Sequence, residues 1–311
     1  MQTLDWRDAD PVQLAPLFAR ERERWLAGLR WETSDAWSEV EQARTTWGLP
    51  GFMALDDTGA IQGVSFHLPT ATRLELGGLF GESADAATAL VSATVAAAGE
   101  AGVDEVSCFL YESRPLVADA LGACGFLVEP FPYLERPSTA ALPPARRLDA
   151  LVHVRDWAPD DVEPLAALLA AAYDPVAARR FTTTPTPDGW AHYVSNLVGQ
   201  TACGLLLPEV TRLAWHDDRL VAAVIATTIG PRTAHIAQVA VHPDWRGRGV
   251  ARALLADACR LAGTDADRVT LLVGSGNSAA RALYASMGFA PQGRFLAATR
   301  AAQFAYDALA S

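Results

Sequence analysis

Apolar residues recur with two periods along this chain, and the order of those periods repeats. In the second half, residues 210–216, 220–229 and 233–241 alternate as strands do, with Asp217-Asp218 as the turn between the first two. Residues 251–261 carry helical spacing, 268–273 read as another strand, and a further helix follows. The first half offers strands at 51–55, 61–67 and 73–79, with 56–59 as a turn, then a helix at 86–98 and a strand at 105–110. Helical stretches at 14–29 and 165–173 precede the two meanders. Strands and helices mixed in this order predict an α/β (α+β) fold, a mixed sheet covered by helices.

Short sequences repeat along with the pattern. Leu4-Asp5-Trp6-Arg7-Asp8-Ala9-Asp10 is echoed by Val154-Arg155-Asp156-Trp157-Ala158-Pro159-Asp160-Asp161. Near the ends of the halves, Ala120-Leu121-Gly122-Ala123-Cys124-Gly125-Phe126 is echoed by Ala282-Leu283-Tyr284-Ala285-Ser286-Met287-Gly288-Phe289. Between them, residues 137–150 contain Pro143-Pro144 and Arg146-Arg147 and read as a linker. Two copies of one plan are expected, with domains at 1–147 and 148–311.

Composition narrows the function. Half of the 311 residues are hydrophobic and 20% are charged, so a packed core is expected. The formal charge is -11, and all 25 basic residues are arginine. Without a basic run, nucleic acid is disfavoured as a partner. Without lysine, no lysine can act as a base or Schiff-base nucleophile. Cys108, Cys124, Cys203 and Cys259 form no C-x-x-C pair and read as free thiols of a reducing compartment. No metal is expected. The N-terminus lacks a signal pattern, and no apolar run approaches about 18 residues. A soluble cytoplasmic protein with no membrane partner is the expectation, and its oligomeric state is open.

The richest chemistry lies in Val239-Ala240-Val241-His242-Pro243-Asp244-Trp245-Arg246-Gly247-Arg248-Gly249-Val250-Ala251. A strand ends there, and a helix opens behind two glycines and two arginines. Unpaired N–H groups and the positive end of the helix dipole favour an anionic group at such a turn. The turn suits a phosphate ester.

Arg246-Gly247-Arg248-Gly249-Val250-Ala251, followed by Asn277-Ser278-Ala279-Ala280-Arg281-Ala282-Leu283-Tyr284 and Gly288-Phe289, resembles the GNAT acetyltransferase superfamily. That family's motif is R/Q-x-x-G-x-G/A. The resemblance covers 151 to about 295 well and 1–137 only as an eroded copy, which implies two tandem GNAT-like acyl-CoA N-acyltransferase domains. The tandem arrangement is similar to that of mycothiol synthase, an analogy of architecture alone. The resemblance implies acetyl-CoA as co-substrate, with its pyrophosphate on the amides of Arg246, Gly247, Arg248, Gly249, Val250 and Ala251. It also implies that the pantetheine arm lies along Val239 and Val241 with Asn277 in contact, and that Tyr284 protonates the departing thiolate.

Each of these residues also has a bland reading. Arg246 and Arg248 are surface charges on it, Asn277 is a helix N-cap, and Tyr284 packs its ring on the sheet. The base is His235 or water. Period-2 alternation puts His235 on the face of Val239 and Val241, and the resemblance implies that some family members carry a glutamate base at this distance from the motif. His242 reads as structural, and His192 and Tyr193 as either acceptor-lining or packing residues.

In the first half, Gly81-Glu82-Ser83-Ala84-Asp85 stands opposite the phosphate turn, Leu121 opposite Tyr284 and Arg114 opposite Asn277. Carboxylates would repel a pyrophosphate there, so this half is expected to pack against the active one and shape the acceptor cleft. Trp6, Trp25, Trp31, Trp37 and Trp47 crowd its start, as core or as an aromatic wall. The expected reaction is direct transfer of acetyl to a primary amine of a small molecule. The alternatives are acetylation of a protein N-terminus or lysine, and a non-catalytic acyl-CoA-binding regulatory module.

Overall fold

The computed structural model describes residues 1–70, 72–144, 148–178, 181–182, 185–199 and 204–301. Arg146, Arg147 and Cys203 lie outside the described residues. The chain divides into two compact units, Met1–Pro132 with the chain from Gln292 onward, and Tyr133–Pro291.

In the first unit, β1 (Gln2–Asp5) leads through α1 (Pro11–Leu29) and α2 (Ser34–Trp47) into a meander. The meander is β2 (Gly51–Leu55), β3 (Ile61–Pro69) and β4 (Arg73–Gly81). Then come α3 (Ala84–Glu100), β5 (Glu105–Tyr111), α4 (Leu116–Ala123) and β6 (Leu127–Pro137), whose last five residues are counted with the second unit. The order β1-β2-β3-β4-β5 is antiparallel except for β4 on β5. One sheet face packs Leu74, Leu76, Leu90 and Leu121 with α3 and α4, and the other packs Trp6, Leu14, Phe66 and Phe80 with α1. Alternating burial on both faces is what a sheet covered by helices requires.

The second unit repeats this with β7 (Val152–Arg155), α5 (Val162–Ala172), α6 (Pro175–Ala178), α7 (Pro187–Gly199) and β8 (Leu205–Leu206). Its meander is β9 (Arg212–His216), β10 (Arg219–Gly230) and β11 (Thr233–Val241), with Asp217 at φ 50° in the expected turn. It closes with α8 (Val250–Ala262), β12 (Arg268–Leu272), α9 (Ser278–Ser286) and β13 (Ala290–Ala301). β11 and β12 pair in parallel and the meander is antiparallel.

Two features escaped the pattern. Each unit's run of strands is completed by a strand from the other half of the sequence. Phe295–Ala301 of β13 pairs with Tyr111–Glu105 of β5, and Tyr133–Pro137 of β6 pairs with Leu272–Arg268 of β12. Division by packing therefore differs from the repeat boundary expected near residue 148 in the sequence. Each meander also carries a bulge at the same place. Ile225 faces Gln238 while Ala226 faces Ile236, so Ala237 is the extra residue; Gly77 is extra in the first unit.

Among the described residues, no helix is long and apolar enough to cross a membrane.

Candidate active site

The parallel pairing of β11 with β12 runs from Thr233↔Arg268 to Ile236↔Leu271 and stops, although β11 continues to Val241. The edge of β11 from Ala237 to Val241 thus opens toward β12 just beyond the bulge. Val239 and Val241 lie on this open stretch, half-buried, where an extended ligand can add to the edge as a further strand.

Eight residues, His242 to Gly249, connect that edge to α8. His242 begins them as a structural cap: its Nδ1 accepts from the Asp244 amide at 3.3 Å, and Arg219 bonds its Nε2. Gly247 and Gly249 both take the left-handed conformation, with φ of 76° and 83°. A β-carbon on Gly247 would meet nothing within 4 Å, so the requirement there is conformational. Gly249 is the N-cap of α8 and no side chain caps the helix, unlike α3, where the Ser83 side chain accepts from the Ala86 amide. An uncapped helix N-terminus behind two left-handed glycines is a fitting cradle for a pyrophosphate.

The arginines of the turn serve structure. Arg246 donates to the Val241 carbonyl at 3.3 Å and the Ala172 carbonyl at 2.6 Å, tying the end of β11 to the end of α5. Arg248 lies 4.7 Å over the Trp245 ring. Val250 is buried and Ala251 half-buried in the first turn of α8. Asn277 caps α9, accepting from the Ala280 amide at 3.1 Å.

Tyr284 is 6% exposed on α9 and packs edge-on to Phe289. Burial, then the neighbouring Tyr173, drives its phenol well above the ordinary range. His235 is 8% exposed, stacks on Tyr133, and places Nδ1 3.0 Å from Thr270 Oγ1. Burial pushes its imidazole down to about 4.

The bulge corrects the alternation argument for His235. Cross-strand partners share a face, so His235 opposite Thr227 and Gln238 opposite Ile225 lie on one face. Val239, opposite Val224, lies on the other. The extra residue Ala237 breaks the period, and His235 faces the α5/α7 side.

That side holds Tyr193, read from the sequence as acceptor-lining or packing, together with Tyr173, Phe181 and Gln238, which were not singled out there. Tyr173, Phe181, Trp190 and Tyr193 form an aromatic cluster, with Tyr173–Phe181 centroids 4.9 Å apart and Phe181–Tyr193 5.4 Å. Tyr193 donates to Gln238 Oε1 at 3.2 Å, and Gln238 Nε2 donates to the Tyr173 hydroxyl at 2.5 Å. His192 is exposed, bonded to Asn196 one helical turn on. The only hint of Gln238 in the sequence was a polar residue inside an apolar strand, one position before Val239.

The first unit lacks this architecture. Only Glu82 and Ser83 connect β4 to α3. The Glu82 carboxylate receives Arg20 at 3.0 Å, Arg24 at 3.0 Å and Arg114 at 3.2 Å. Burial raises its pKa, but hydrogen bonds from Arg24 and Arg20 outweigh that and hold it below the usual range. The arginines at the end of β4 are thus occupied by an internal anion. Leu121, opposite Tyr284, is fully buried. Of the tryptophans, Trp6 stacks on Phe66, Trp25, Trp31 and Trp37 pack with Phe18, Tyr111 and Phe295, and Trp47 is 74% exposed.

Residues 167–289 match the Acetyltransferase (GNAT) family model. A search of curated protein sequences finds no significant match. Among solved structures, a GCN5-related N-acetyltransferase from Sphaerobacter thermophilus is 17% identical with a TM-score of 0.71, over 97% of this chain and 96% of that one. A tandem GNAT protein from the clavulanic acid biosynthesis pathway is 16% identical with a TM-score of 0.56, over 83% and 84%. A GNAT-family acetyltransferase from Colwellia psychrerythraea is 14% identical with a TM-score of 0.54, over 96% and 99%. At such identities the likeness is one of fold, and it runs through both halves. The chain therefore carries a GNAT-family acetyltransferase domain in its second half, within a mixed α/β fold shared with GNAT proteins along its whole length.

Proposed function

We propose that the protein transfers acetyl directly from acetyl-CoA to a primary amine of a small molecule, using one site in the second unit. The observation that carries this reading is the adjacency of the open β11 edge to the uncapped start of α8. Backbone amides from Arg246 to Ala251 would hold the pyrophosphate, with Gly247 and Gly249 supplying the conformation. Val239 and Val241 would pair with the pantetheine arm. A strand amide of that stretch would hold the oxyanion that develops on the thioester carbonyl.

Tyr284 stays a phenol at any working pH, given the direction of its shift. Its role is then to donate a hydrogen bond to the leaving sulfur as charge develops there, with the proton following. Asn277 would contact the arm through whatever hydrogen-bonding capacity its cap leaves. His235 presents a neutral imidazole: Thr270 donates to the Ala234 carbonyl at 3.4 Å, so its oxygen accepts from Nδ1–H and the lone pair sits on Nε2. A group that titrates near 4 is a weak base, which favours water as the acceptor of the amine proton.

The first unit is read as a copy that no longer binds coenzyme, its anion place taken by Glu82. Thiol release from acetyl-CoA in the presence of a panel of primary amines tests the whole reading. Acetylated amine with matching thiol release supports it. Tight coenzyme binding with no product from any amine would make the protein an acyl-CoA-binding module instead.

A further inference from the structure

The Tyr193–Gln238–Tyr173 chain has a direction. The Gln238 carboxamide has one acceptor oxygen and one donor nitrogen. Its oxygen is taken by the Tyr193 hydroxyl, so its nitrogen donates to the oxygen of Tyr173. The Tyr173 hydroxyl hydrogen must then point away from Gln238. Burial pushes this phenol to about 12, so the hydrogen stays on it.

The position of Tyr173 gives that hydrogen a use. Tyr173 is the residue after α5, whose last carbonyl Arg246 holds from the phosphate turn. Gln238 follows the bulge on the open edge of β11, one residue before Val239. Tyr173 lies near enough to Tyr284 to help raise the pKa of its phenol. Around it stand Phe181 and Tyr193, half-buried, with Trp190 fully buried behind them. Among the described residues this wall is thus aromatic, with the Gln238 amide bonded to the Tyr193 and Tyr173 hydroxyls.

We propose that this wall selects the acceptor: the aromatic carrier of the amine stacks against Phe181 and Tyr193, with the Tyr173 hydroxyl, aimed by Gln238, donating to an acceptor oxygen on that carrier and leaving the amine lone pair free. The inference rests on the acetyl-transfer reading above and adds the substrate class.

The test measures kcat and KM for 2-phenylethylamine, tyramine, cadaverine and glucosamine with acetyl-CoA in the full-length protein, Tyr173→Phe and Gln238→Glu. The phenylalanine variant keeps the ring and removes the donor. The glutamate variant offers only acceptors, so Tyr173 turns its hydrogen inward. Wild type should prefer the arylalkylamines. Both variants should raise the KM for tyramine on the order of tenfold, the loss of about one hydrogen bond, with the KM for acetyl-CoA and the melting temperature little changed. Preference for cadaverine or glucosamine, or an unchanged tyramine KM in Tyr173→Phe, would overturn the inference while leaving acetyl transfer standing. No turnover with any amine, while acetyl-CoA still binds, would overturn acetyl transfer and the inference with it.

Discussion

Histidine and tyrosine in this site behave unlike their free forms because the sheet buries them. His235 titrates near 4 when folded and near 6.5 when unfolded. Between those values the unfolded chain binds the extra proton, so its contribution is intact above 6.5 and is lost as pH falls toward 4. The cost is roughly 3 kcal/mol in total. Urea melts from pH 7 to pH 4.5 should show this acid loss reduced in His235→Gln, and identical slopes in the two proteins would refute the assignment. The same shift predicts no break near pH 6.5 from this residue in kcat against pH. Tyr284→Phe should lower kcat on the order of 10–100-fold with little change in acetyl-CoA affinity. An unchanged kcat would remove Tyr284 from the chemistry.

On the proposed reading, elements decide where coenzyme would bind. The eight-residue connection before α8 leaves a helix N-terminus uncapped, whereas two residues before α3 leave room only for a self-capped one. Gly249→Glu places a side chain at φ 83° and a carboxylate at the pyrophosphate cradle, so calorimetry should detect no acetyl-CoA binding. Glu82→Ala should leave coenzyme affinity untouched, because its arginines belong to the other copy. It should cost about 1–2 kcal/mol in denaturant melts by leaving Arg20, Arg24 and Arg114 facing one another. A fall in acetyl-CoA affinity in Glu82→Ala would place part of the site in the first unit.

At the scale of the molecule, neither unit's run of strands comes from one contiguous half of the sequence. Removing the chain from Gln292 onward takes Phe295–Ala301 away from β5 and should loosen the first unit selectively. Limited proteolysis read by mass spectrometry should then cut first within residues 1–132. Equal protection of both units would contradict the assignment of the last strand. The contrast between a complete turn in one unit and a closed one in the other is a property of the tandem chain. It gives an expected stoichiometry of one acetyl-CoA per polypeptide, which the same calorimetry measures.

The strands of both meanders, α3 and α8 were legible in the sequence because their burial is periodic, and a period survives without knowing the partner. The turn from Arg246 to Ala251 was legible too, since glycine spacing at a strand–helix junction reports backbone conformation directly. Three matters were decided only in three dimensions. The bulge at Ala237 moved His235 away from the face of Val239, because one extra residue inverts a two-residue period. Gln238 met Tyr173 and Tyr193 across 65 and 45 residues of sequence. The final strands paired with strands of the other half, since strand pairing over long separations depends on which edge is open and not on any local pattern.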